Sequence, residues 1–326
     1  MISVAMCTYN GSKYLEEQLN SIIHQTRQPD EIVICDDRSK DDSIEIAQRT
    51  LENWNGIIRI VRNEKNLGFV KNFEKAISFC HGDIIFLSDQ DDVWKANKIE
   101  VIVKTFEKNP DAAMVFHDSE LVDKNLHPLF PSFWRNTLAF DHSKFLARNY
   151  KKLCIDNIIQ GSACAFRRKV FELAVPFPEP AYHDEWLGLV ALLIGEIIPV
   201  NKCLMQYRQD QNALGGLPTK KTFKDKVKKI IFNFSDEYSS DKKIMQRKEM
   251  VLSEFLRKYS EDSDSQFLYE IAQYYPFLKA RIAFVCGQAS LKVIDLSKYF
   301  RYTDSPTKAL KMFSKDCIEF VYSKFM

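Results

Sequence analysis

The sequence lacks the cysteine patterns that mark zinc sites and disulfide frameworks. Its eight Cys are scattered singly, without a CxxC pair and without Cys and His at zinc spacing. Isolated cysteines are typical of reduced thiols, so we expect a cytoplasmic protein. Cys7 and Cys35 fall inside apolar runs and are predicted to be small core residues.

Long hydrophobic runs and glycine-rich loops are also missing. No segment approaches the ~20 apolar residues that a membrane-spanning helix needs, and the opening MISVAMCTYNG has no basic region or cleavage site of a signal peptide. Only 10 of 326 residues are Gly. No GxGxxG follows a strand, which argues against a dinucleotide oxidoreductase. With a net charge of +2, the chain has no global field that indicates nucleic-acid binding.

The first 120 residues alternate between apolar strand-like runs and amphipathic helical patterns. Five strands are predicted, in the segments ISVAMCTY, EIVICDD, GIIRIVRN, GDIIFLSD and AAMVFHDS. Nearly continuous apolar strands separated by helices favour an α/β fold with a mostly parallel sheet covered by helices on both faces. In such sheets ligands bind at the carboxyl ends of the strands.

The pattern divides the chain into two regions. It weakens over residues 121–157, returns as strand and helix up to about 216, and reaches a Gly-Gly-Leu-Pro stretch at 215–218. Beyond that stretch Lys becomes frequent, Gly becomes rare and helix predominates. We therefore predict a first domain over residues 1–216 and a helical region over residues 217–326.

The segment LSDQDDVW places three aspartates within four positions after an apolar strand. Asp89 and Asp91 are two residues apart and point the same way in extended backbone, as two ligands of Mg²⁺ or Mn²⁺ would. Asp92 points away and is predicted to cap the following helix. Alone, the cluster fits a group of solvated loop residues equally well. An EF-hand is excluded because its turn Gly and final Glu are absent.

Polar residues also end the first two predicted strands. CTYNG supplies Thr8, Tyr9 and Asn10, and CDDRS supplies Asp36 and Asp37. Each group alone is ordinary turn chemistry. Since the carboxyl ends of parallel strands meet at one edge, their joint occurrence favours one binding site there.

These segments, together with NLGFVKNFEKA, resemble the family 2 glycosyltransferases of GT-A fold. Within that family the sequence is similar to bacterial rhamnosyltransferase-like enzymes of surface polysaccharide assembly. The resemblance is ordered over residues 1–120, returns over 157–216 and then fades. It implies that residues 1–120 bind a nucleotide sugar and that residues 121–216 bind the acceptor.

The resemblance also implies roles for individual residues. Asp37 would accept from the nucleotide base, Asp89 would lie near the ribose, and Asp91 would bind Mn²⁺ or Mg²⁺, which neutralises the diphosphate leaving group. The expected nucleotide-sugar-binding residues are Thr8, Tyr9, Asn10, Asp37, Asn66, Gly68, Asp89, Gln90 and Arg208.

The segment YHDEWL matches the place of the catalytic base in that family. Asp184 is the expected base, and the adjacent Glu185 is its rival because the chemistry is the same. Asp184 is equally suited to cap the helix that follows, and a helix N-terminus would keep its carboxylate ionised. In QGSACAFRR, Gly161 either admits a ligand or simply begins a strand.

One departure from the family pattern lies in YRQDQNALGG, where Asp210 stands in place of a His that is frequent there. Asp is also an oxygen ligand for a hard cation, so Asp210 is a second expected metal ligand. Arg208 is an expected phosphate partner. Both residues are equally compatible with an ordinary surface loop.

Residues 220–229 hold six Lys and one Asp, and apolar residues recur at helical spacing up to position 234. A basic helix with an apolar stripe fits peripheral contact with an anionic membrane at its inner face, although simple packing on the catalytic domain is as plausible.

The leading interpretation is an inverting, metal-dependent transfer from dTDP-rhamnose or a UDP-sugar to a glycan or lipid-linked saccharide, in capsule or O-antigen synthesis. A non-catalytic nucleotide-sugar-binding or carbohydrate-binding protein is one alternative. A metal-dependent nucleotidyltransferase is the other, although the Gly-rich phosphate loop it requires is absent.

Overall fold

The structure is a computed structural model, and its described residues form two units. They are residues 1–138, 140, 142, 153, 157–209, 234–259, 266–285, 309, 312, 313 and 316, with backbone alone for 234–242, 266, 284 and 285. The first compact unit comprises Met1–Arg148 with Ile158–Pro218, and the second comprises Asn149–Asn157 with Thr219–Met326. The roles expected of residues 1–120, 121–216 and 217–326 stay predictions.

The first half of the first unit confirms the predicted alternation of strands and helices. Its elements are β1 (Ile2–Thr8), α1 (Leu15–Ile23), β2 (Glu31–Asp36), α2 (Ser43–Leu51), β3 (Ile57–Arg62), α3 (Phe69–Ser78) and β4 (Ile84–Ser88). The strands lie in the order β3-β2-β1-β4 and every neighbouring pair is parallel. The carboxyl ends of β2, β1 and β4 therefore lie side by side.

The second half of this unit is mixed in direction. Its elements are β5 (Val93–Trp94), α4 (Lys98–Lys108), β6 (Ala112–Val122), β7 (Pro128–Phe130), a π-helical turn (Trp134–Leu138), a 3-10 turn (Gly161–Ala163), β8 (Cys164–Arg167), α5 (Arg168–Ala174), α6 (His183–Ile194) and β9 (Glu196–Arg208). The sheet continues from β4 through β8, β6 and β9 to β5, and β7 pairs with β6. The pair β6 and β9 is parallel, whereas β8 is antiparallel to β4 and β6, and β5 is antiparallel to β9.

The reversed direction of β8 determines what surrounds the end of β4. Because Phe86 pairs with Ala165 and Ile84 with Arg167, β8 begins where β4 ends. The turn Gly161–Ala163 therefore reaches the same edge as the aspartates that follow β4. Likewise, Val93 pairs with Gln206, which brings the end of β9 beside β5.

Burial explains why these segments are strands. β2 is buried along its whole length, and Val4, Met6 and Phe86 of the neighbouring strands are fully inaccessible. Apolar residues of α1, α2 and α4 pack against one face of this layer. On the opposite face Val33 and Ile85 are also fully buried, and α3 contacts β1 and β2. By contrast, β3 is an edge strand with Ile57 and Ile58 exposed.

The described part of the second unit is mainly helical, with α7 (Phe234–Tyr259) and α8 (Gln266–Val285). The ring of Phe255 lies 5.6 Å from that of Phe267, which joins the two helices. Arg281 forms a buried ion pair with Asp316 at 2.6 Å. The buried ammonium of Lys248 donates to the carbonyl oxygen of Leu153 at 2.6 Å. Across the described ranges, no helix combines the length and apolar character needed to cross a membrane.

Candidate active site

The ends of β1, β2 and β4 are joined by hydrogen bonds, as the polar strand ends predicted. The amide of Asp37 donates to the carbonyl of Thr8 at 2.8 Å. The Thr8 hydroxyl and the Tyr9 amide both donate to Oε1 of Gln90 at 2.8 Å, and Nε2 of Gln90 donates to the Tyr9 carbonyl at 3.2 Å. Thr8 and Gln90 therefore hold two strand ends together, and their roles toward a nucleotide stay predictions.

This junction requires a glycine at position 11. A Cβ on Gly11 would lie 2.2 Å from Oε1 of Gln90 and 2.8 Å from Oγ1 of Thr8. Before Gly11, Asn10 adopts a φ of 50° and accepts the amide of Lys40 at 2.9 Å through Oδ1. The Asn-Gly pair in CTYNG indicates a turn, but it does not show that the glycine admits a neighbouring side chain. Tyr9 beside it keeps 48% of its surface exposed, which leaves its ring available for stacking.

Asp37 organises the turn that precedes α3. Its Oδ1 accepts the side-chain amide of Asn63 at 2.8 Å and the amide of Leu67 at 2.7 Å, and its Oδ2 accepts the amide of Gly68 at 2.9 Å. The Asn66 side chain donates to the Asp37 carbonyl at 3.3 Å. These four hydrogen bonds assign Asp37 a structural role in holding the turn. The base contact expected of its carboxylate stays a prediction.

The aspartates after β4 lie in a buried region of excess negative charge. Burial, followed by the charge of Asp91, raises the pKa of Asp89 to about 7, and the charge of Asp184 adds to this. Burial and the charges of Asp91 and Asp89 raise the pKa of Asp92 well above its usual range. Like charges crowded in this way repel one another, and either a proton or a bound cation would relieve that repulsion.

Asp92 is not a helix cap, contrary to the sequence-based expectation. It is fully buried, its Oδ1 accepts the Arg208 amide at 3.3 Å, and its Oδ2 has no hydrogen-bond partner among the described residues. The N-cap of α4 is Asn97, five residues further on. The short strand β5 intervenes because it pairs with β9, and this pairing turns Asp92 inward.

Arg208 is engaged by protein groups on every nitrogen of its guanidinium. Nε donates to the Asp91 carbonyl at 2.7 Å, Nη1 to the Lys124 carbonyl at 2.6 Å, and Nη2 to Glu17 at 2.5 Å. The guanidinium carbon lies 4.2 Å from the ring centre of Tyr14. Arg208 therefore holds the backbone of the aspartate segment, and its expected contact with phosphate stays a prediction. Asp210 and residues 220–233 lie outside the described residues.

Asp184 faces the aspartates from α6. Its Oδ2 accepts the amide of Gly161 at 3.1 Å and its Oδ1 accepts the amide of Glu185 at 2.7 Å. The N-cap of α6 is Tyr182, so Asp184 lies in the first turn and is not the cap. Glu185 is only 2% exposed. The electrostatic effect of Asp184 on Asp89 favours Asp184 over Glu185 as the group that faces the site.

Position 161 favours glycine because a neighbouring side chain lies where a Cβ would be. A Cβ at this position would lie 2.6 Å from Nε2 of His183. The His183 ring stacks on Phe73 with centroids 4.1 Å apart, and burial lowers its pKa to about 3. A neutral imidazole therefore packs behind the turn that donates to Asp184.

Sequence reasoning missed Lys98, which lies beneath the aspartates. Its side chain is fully buried, and Nζ donates to the Ser162 carbonyl at 2.6 Å and lies 3.6 Å from the ring centre of Trp94. Burial lowers its pKa to about 7, although Asp92 and Asp89 oppose that shift. In the sequence, Lys98 reads as an ordinary lysine at the start of a helix.

The chemistry of Asp89 and Asp91 fits a hard divalent cation. Their oxygens are the donors that Mg²⁺ and Mn²⁺ prefer, and burial together with the charge of Asp91 raises the pKa of Asp89. Within the described ranges, no group of three or more acidic, His or Cys side chains is arranged as a complete metal site. A cation bound through one or two carboxylates takes its other ligands from substrate phosphates and water.

A strand-end site of this kind, on a sheet of this order, matches a known family model. The model of glycosyl transferase family 2 matches residues 3–173. The chain belongs to glycosyl transferase family 2. It is 34% identical over 135 residues to the dTDP-rhamnosyl transferase RfbG of Shigella flexneri, covering 40% of this chain and 44% of that relative. Alignments with the first three curated relatives span 64%, 33% and 60% of those relatives' lengths.

Solved structures show that this family 2 member has the GT-A fold. S. aureus TarS 1–349, in complex with UDP-GlcNAc, superposes with a TM-score of 0.58 and 16% identity, covering 98% of this chain and 89% of that one. The mannosyltransferase PcManGT from Pyrobaculum calidifontis, in complex with GDP-Man and Mn²⁺, superposes with a TM-score of 0.54 and 15% identity over 99% and 83%. These matches confirm the predicted fold class.

Proposed function

We propose that this protein is an inverting glycosyltransferase that moves a sugar from a nucleoside diphosphate sugar to a hydroxyl group of a saccharide. One observation carries the proposal. Asp184, a carboxylate in the first turn of a helix, faces the acidic end of β4 closely enough to raise the pKa of Asp89. This position of Asp184 supports a role as the base beside a site for a charged leaving group.

The donor would lie across the ends of β1, β2 and β4. Tyr9 offers an exposed ring to the base, and Asn10 beside it accepts the Lys40 amide. Asn66 and Gly68 belong to the turn that Asp37 holds. Three lone pairs of the Asp37 carboxylate are already engaged, which leaves about one for the N–H of a base. Asp89 and Asp91 would hold Mn²⁺ or Mg²⁺, which supplies positive charge to the diphosphate when bound.

The acceptor hydroxyl would lose its proton to Asp184. As that oxygen forms a bond to the anomeric carbon, the bond from this carbon to the diphosphate oxygen breaks and the nucleoside diphosphate leaves. The proton stays on the Asp184 carboxyl. The N-terminus of α6 and the Gly161 amide favour the ionised form of Asp184 before the reaction.

The finer assignment rests on similarity to the relatives. The Shigella relative is a dTDP-rhamnosyl transferase and TarS was solved with UDP-GlcNAc, so dTDP-rhamnose and UDP-sugars are the first donors to test. The proposed acceptor is a glycan or a lipid-linked saccharide, and the proposed process is capsule or O-antigen synthesis. The Lys-rich residues 220–229 fit an inner membrane face, although their structure is not described.

A donor screen tests the proposal. The full chain would be incubated with dTDP-rhamnose and with UDP-, GDP- and CDP-sugars in Mn²⁺, and released nucleoside diphosphate and glycosylated product would be measured. We expect Asp184→Asn to lower kcat by ~10²–10⁴-fold while nucleotide still binds. Glu185→Gln is the matched comparison: if Asp184 is the base, replacing this buried rival should leave kcat per folded molecule close to that of the unmodified protein.

The same screen distinguishes the non-catalytic alternative. A nucleotide-sugar-binding protein would show a Mn²⁺-dependent thermal shift with a donor but neither product nor donor hydrolysis. Full activity in Asp184→Asn would show instead that the base has been assigned wrongly.

A further inference from the structure

The buried lysine beneath the aspartates has no function in the proposed reaction as described so far. Lys98 is the first residue of α4, and its side chain is completely inaccessible. Fully buried lysines are rare unless they are paired, because removing an ammonium from water is costly. The complete burial of the Lys98 side chain therefore needs a specific explanation.

The contacts of Lys98 connect three segments of the first unit. Its ammonium donates to the Ser162 carbonyl at 2.6 Å, lies 3.8 Å from Sδ of Met205 in β9, and lies over the ring of Trp94 in β5. It is also attracted by the charges of Asp92 and Asp89. The ammonium thus lies between the acidic segment and the turn Gly161–Ala163.

That turn is also the one that contacts Asp184. The Gly161 amide donates to Oδ2 of Asp184, and the next residue presents its carbonyl to Lys98. The two hydrogen bonds involve adjacent residues of a three-residue 3-10 turn. A shift of the Ser162 carbonyl would therefore move the donor that orients the Asp184 carboxylate.

We propose that Lys98 is a positioning residue, which fixes the turn Gly161–Ala163 against the acidic end of β4 and thereby sets the place of Asp184 relative to Asp89 and Asp91. This role rests on the proposed function, because Lys98 would control the distance between the proposed base and the proposed leaving-group site. Lys98 does not touch substrate in this arrangement. It acts on the reaction through Ser162 and Gly161.

The test replaces Lys98 with Met, which keeps the apolar stem against Trp94 and removes the ammonium. Lys248→Met is the matched control, because Lys248 is also buried and also donates to a backbone carbonyl at 2.6 Å, but in the second unit. We expect Lys98→Met to lower kcat by about 100-fold with little change in KM for the donor found in the screen. Lys248→Met should leave kcat per folded molecule unchanged.

A second measurement is independent of activity. Hydrogen exchange followed by mass spectrometry on the full chain would report the Gly161 amide in peptides that cover residues 158–166. We expect faster exchange there in Lys98→Met and no change in Lys248→Met. Lys98→Gln keeps an N–H donor and should recover part of both properties.

If Lys98→Met does not fold, Gly161→Ala tests the same turn, because its Cβ would lie 2.6 Å from Nε2 of His183 and must displace the turn. It should also lower kcat with little change in donor KM. Unchanged kcat in either folded variant, or unchanged exchange in Lys98→Met, would overturn the proposal. Absence of turnover by the unmodified chain would instead contradict the proposed function, and the exchange data would still decide the role of Lys98.

Discussion

Two strands that flank β1, namely β2 and β4, have adjacent aspartates at or just after their carboxyl ends, and the two ends differ in how their charge is satisfied. After β2, the carboxylate of Asp37 accepts three N–H groups, and Asp36 accepts both the amide and the hydroxyl of Ser39. After β4, burial and mutual repulsion raise the pKa of Asp89 to about 7, and in the part of the chain that the structure describes Oδ2 of Asp92 has no hydrogen-bond partner. The charge at the first end is balanced by hydrogen bonds within the folded chain, whereas at the second end burial and like charges raise the pKa of Asp89.

The difference follows from what surrounds each end. The turn before α3 brings backbone amides toward Asp37, so its charge is balanced by donors. At the β4 end the nearest cations are Lys98, which is buried, and Arg208, whose guanidinium is engaged by Asp91, Lys124 and Glu17. Similar Asp-Asp sequences therefore serve a structural role in one place and a proposed ligand-binding role in the other.

Among the substitutions that test this comparison, loss of Asp91 should have the largest effect, and we expect that effect on catalytic activity. Asp91→Ala removes an expected metal ligand, so we expect transfer to fall by more than ~100-fold and Mn²⁺-dependent nucleotide binding to weaken. Steady-state kinetics and calorimetric titration with nucleotide and Mn²⁺ would measure both. Asp83→Asn, at the opposite end of β4, is the control and should behave like the unmodified protein. Normal transfer by Asp91→Ala would remove Asp91 from the proposed site.

Loss of Asp37 should fall mainly on stability. Asp37→Ala leaves the donors of Asn63, Leu67 and Gly68 without their acceptor, and we expect the free energy of unfolding to drop by about 3 kcal/mol. Urea denaturation followed by circular dichroism would measure it. Asp123→Ala, whose carboxylate accepts N–H groups in an exposed turn, should lose less. An equal decrease in the free energy of unfolding in both variants would show that the buried hydrogen bonds of Asp37 contribute no more than the exposed ones of Asp123.

The smallest expected effect is a dependence of stability on pH. A raised pKa means that folded Asp89 keeps a proton that the unfolded chain releases above its ordinary value of 3.8. Its contribution to stability is thus complete below that value and is lost as pH rises through about 7. In EDTA, Asp89→Asn should therefore gain more Tm relative to the unmodified protein at about pH 8 than at about pH 5. A constant difference across that range would contradict the raised pKa.

Much of the fold could be predicted from apolar patterning alone. The runs around Val4, Ile34 and Phe86 are fully buried strands, as their nearly continuous hydrophobicity indicates. The direction of β8 could not be predicted in this way, because Cys164–Arg167 has only four residues and its pairing partners lie far away in sequence.

Residues of the candidate site could be predicted where they belong to short sequence motifs. They were missed where their role depends on contacts that are distant in sequence. Asp89 and Asp184 stand in recognisable segments, and the structure brings them into electrostatic contact. Lys98 could not be identified because its partner, the Ser162 carbonyl, lies 64 residues further along the chain. For Arg208, the sequence suggested a phosphate contact, which stays a prediction, but it did not reveal the hydrogen bond to the carbonyl of Asp91, 117 residues away.

The edge strand β3 bears on how readily chains associate with one another at high concentration. An open strand with exposed Ile57 and Ile58 offers unpaired backbone groups to another chain. Arg59 and Arg62 are exposed on the same strand, and the guanidinium of Arg59 lies 5.2 Å from the ring centre of Phe79. Charged side chains on an edge strand oppose edge-to-edge pairing, so we expect these two arginines to do so here. Concentrated preparations should therefore tolerate loss of either isoleucine better than replacement of the arginines by apolar residues.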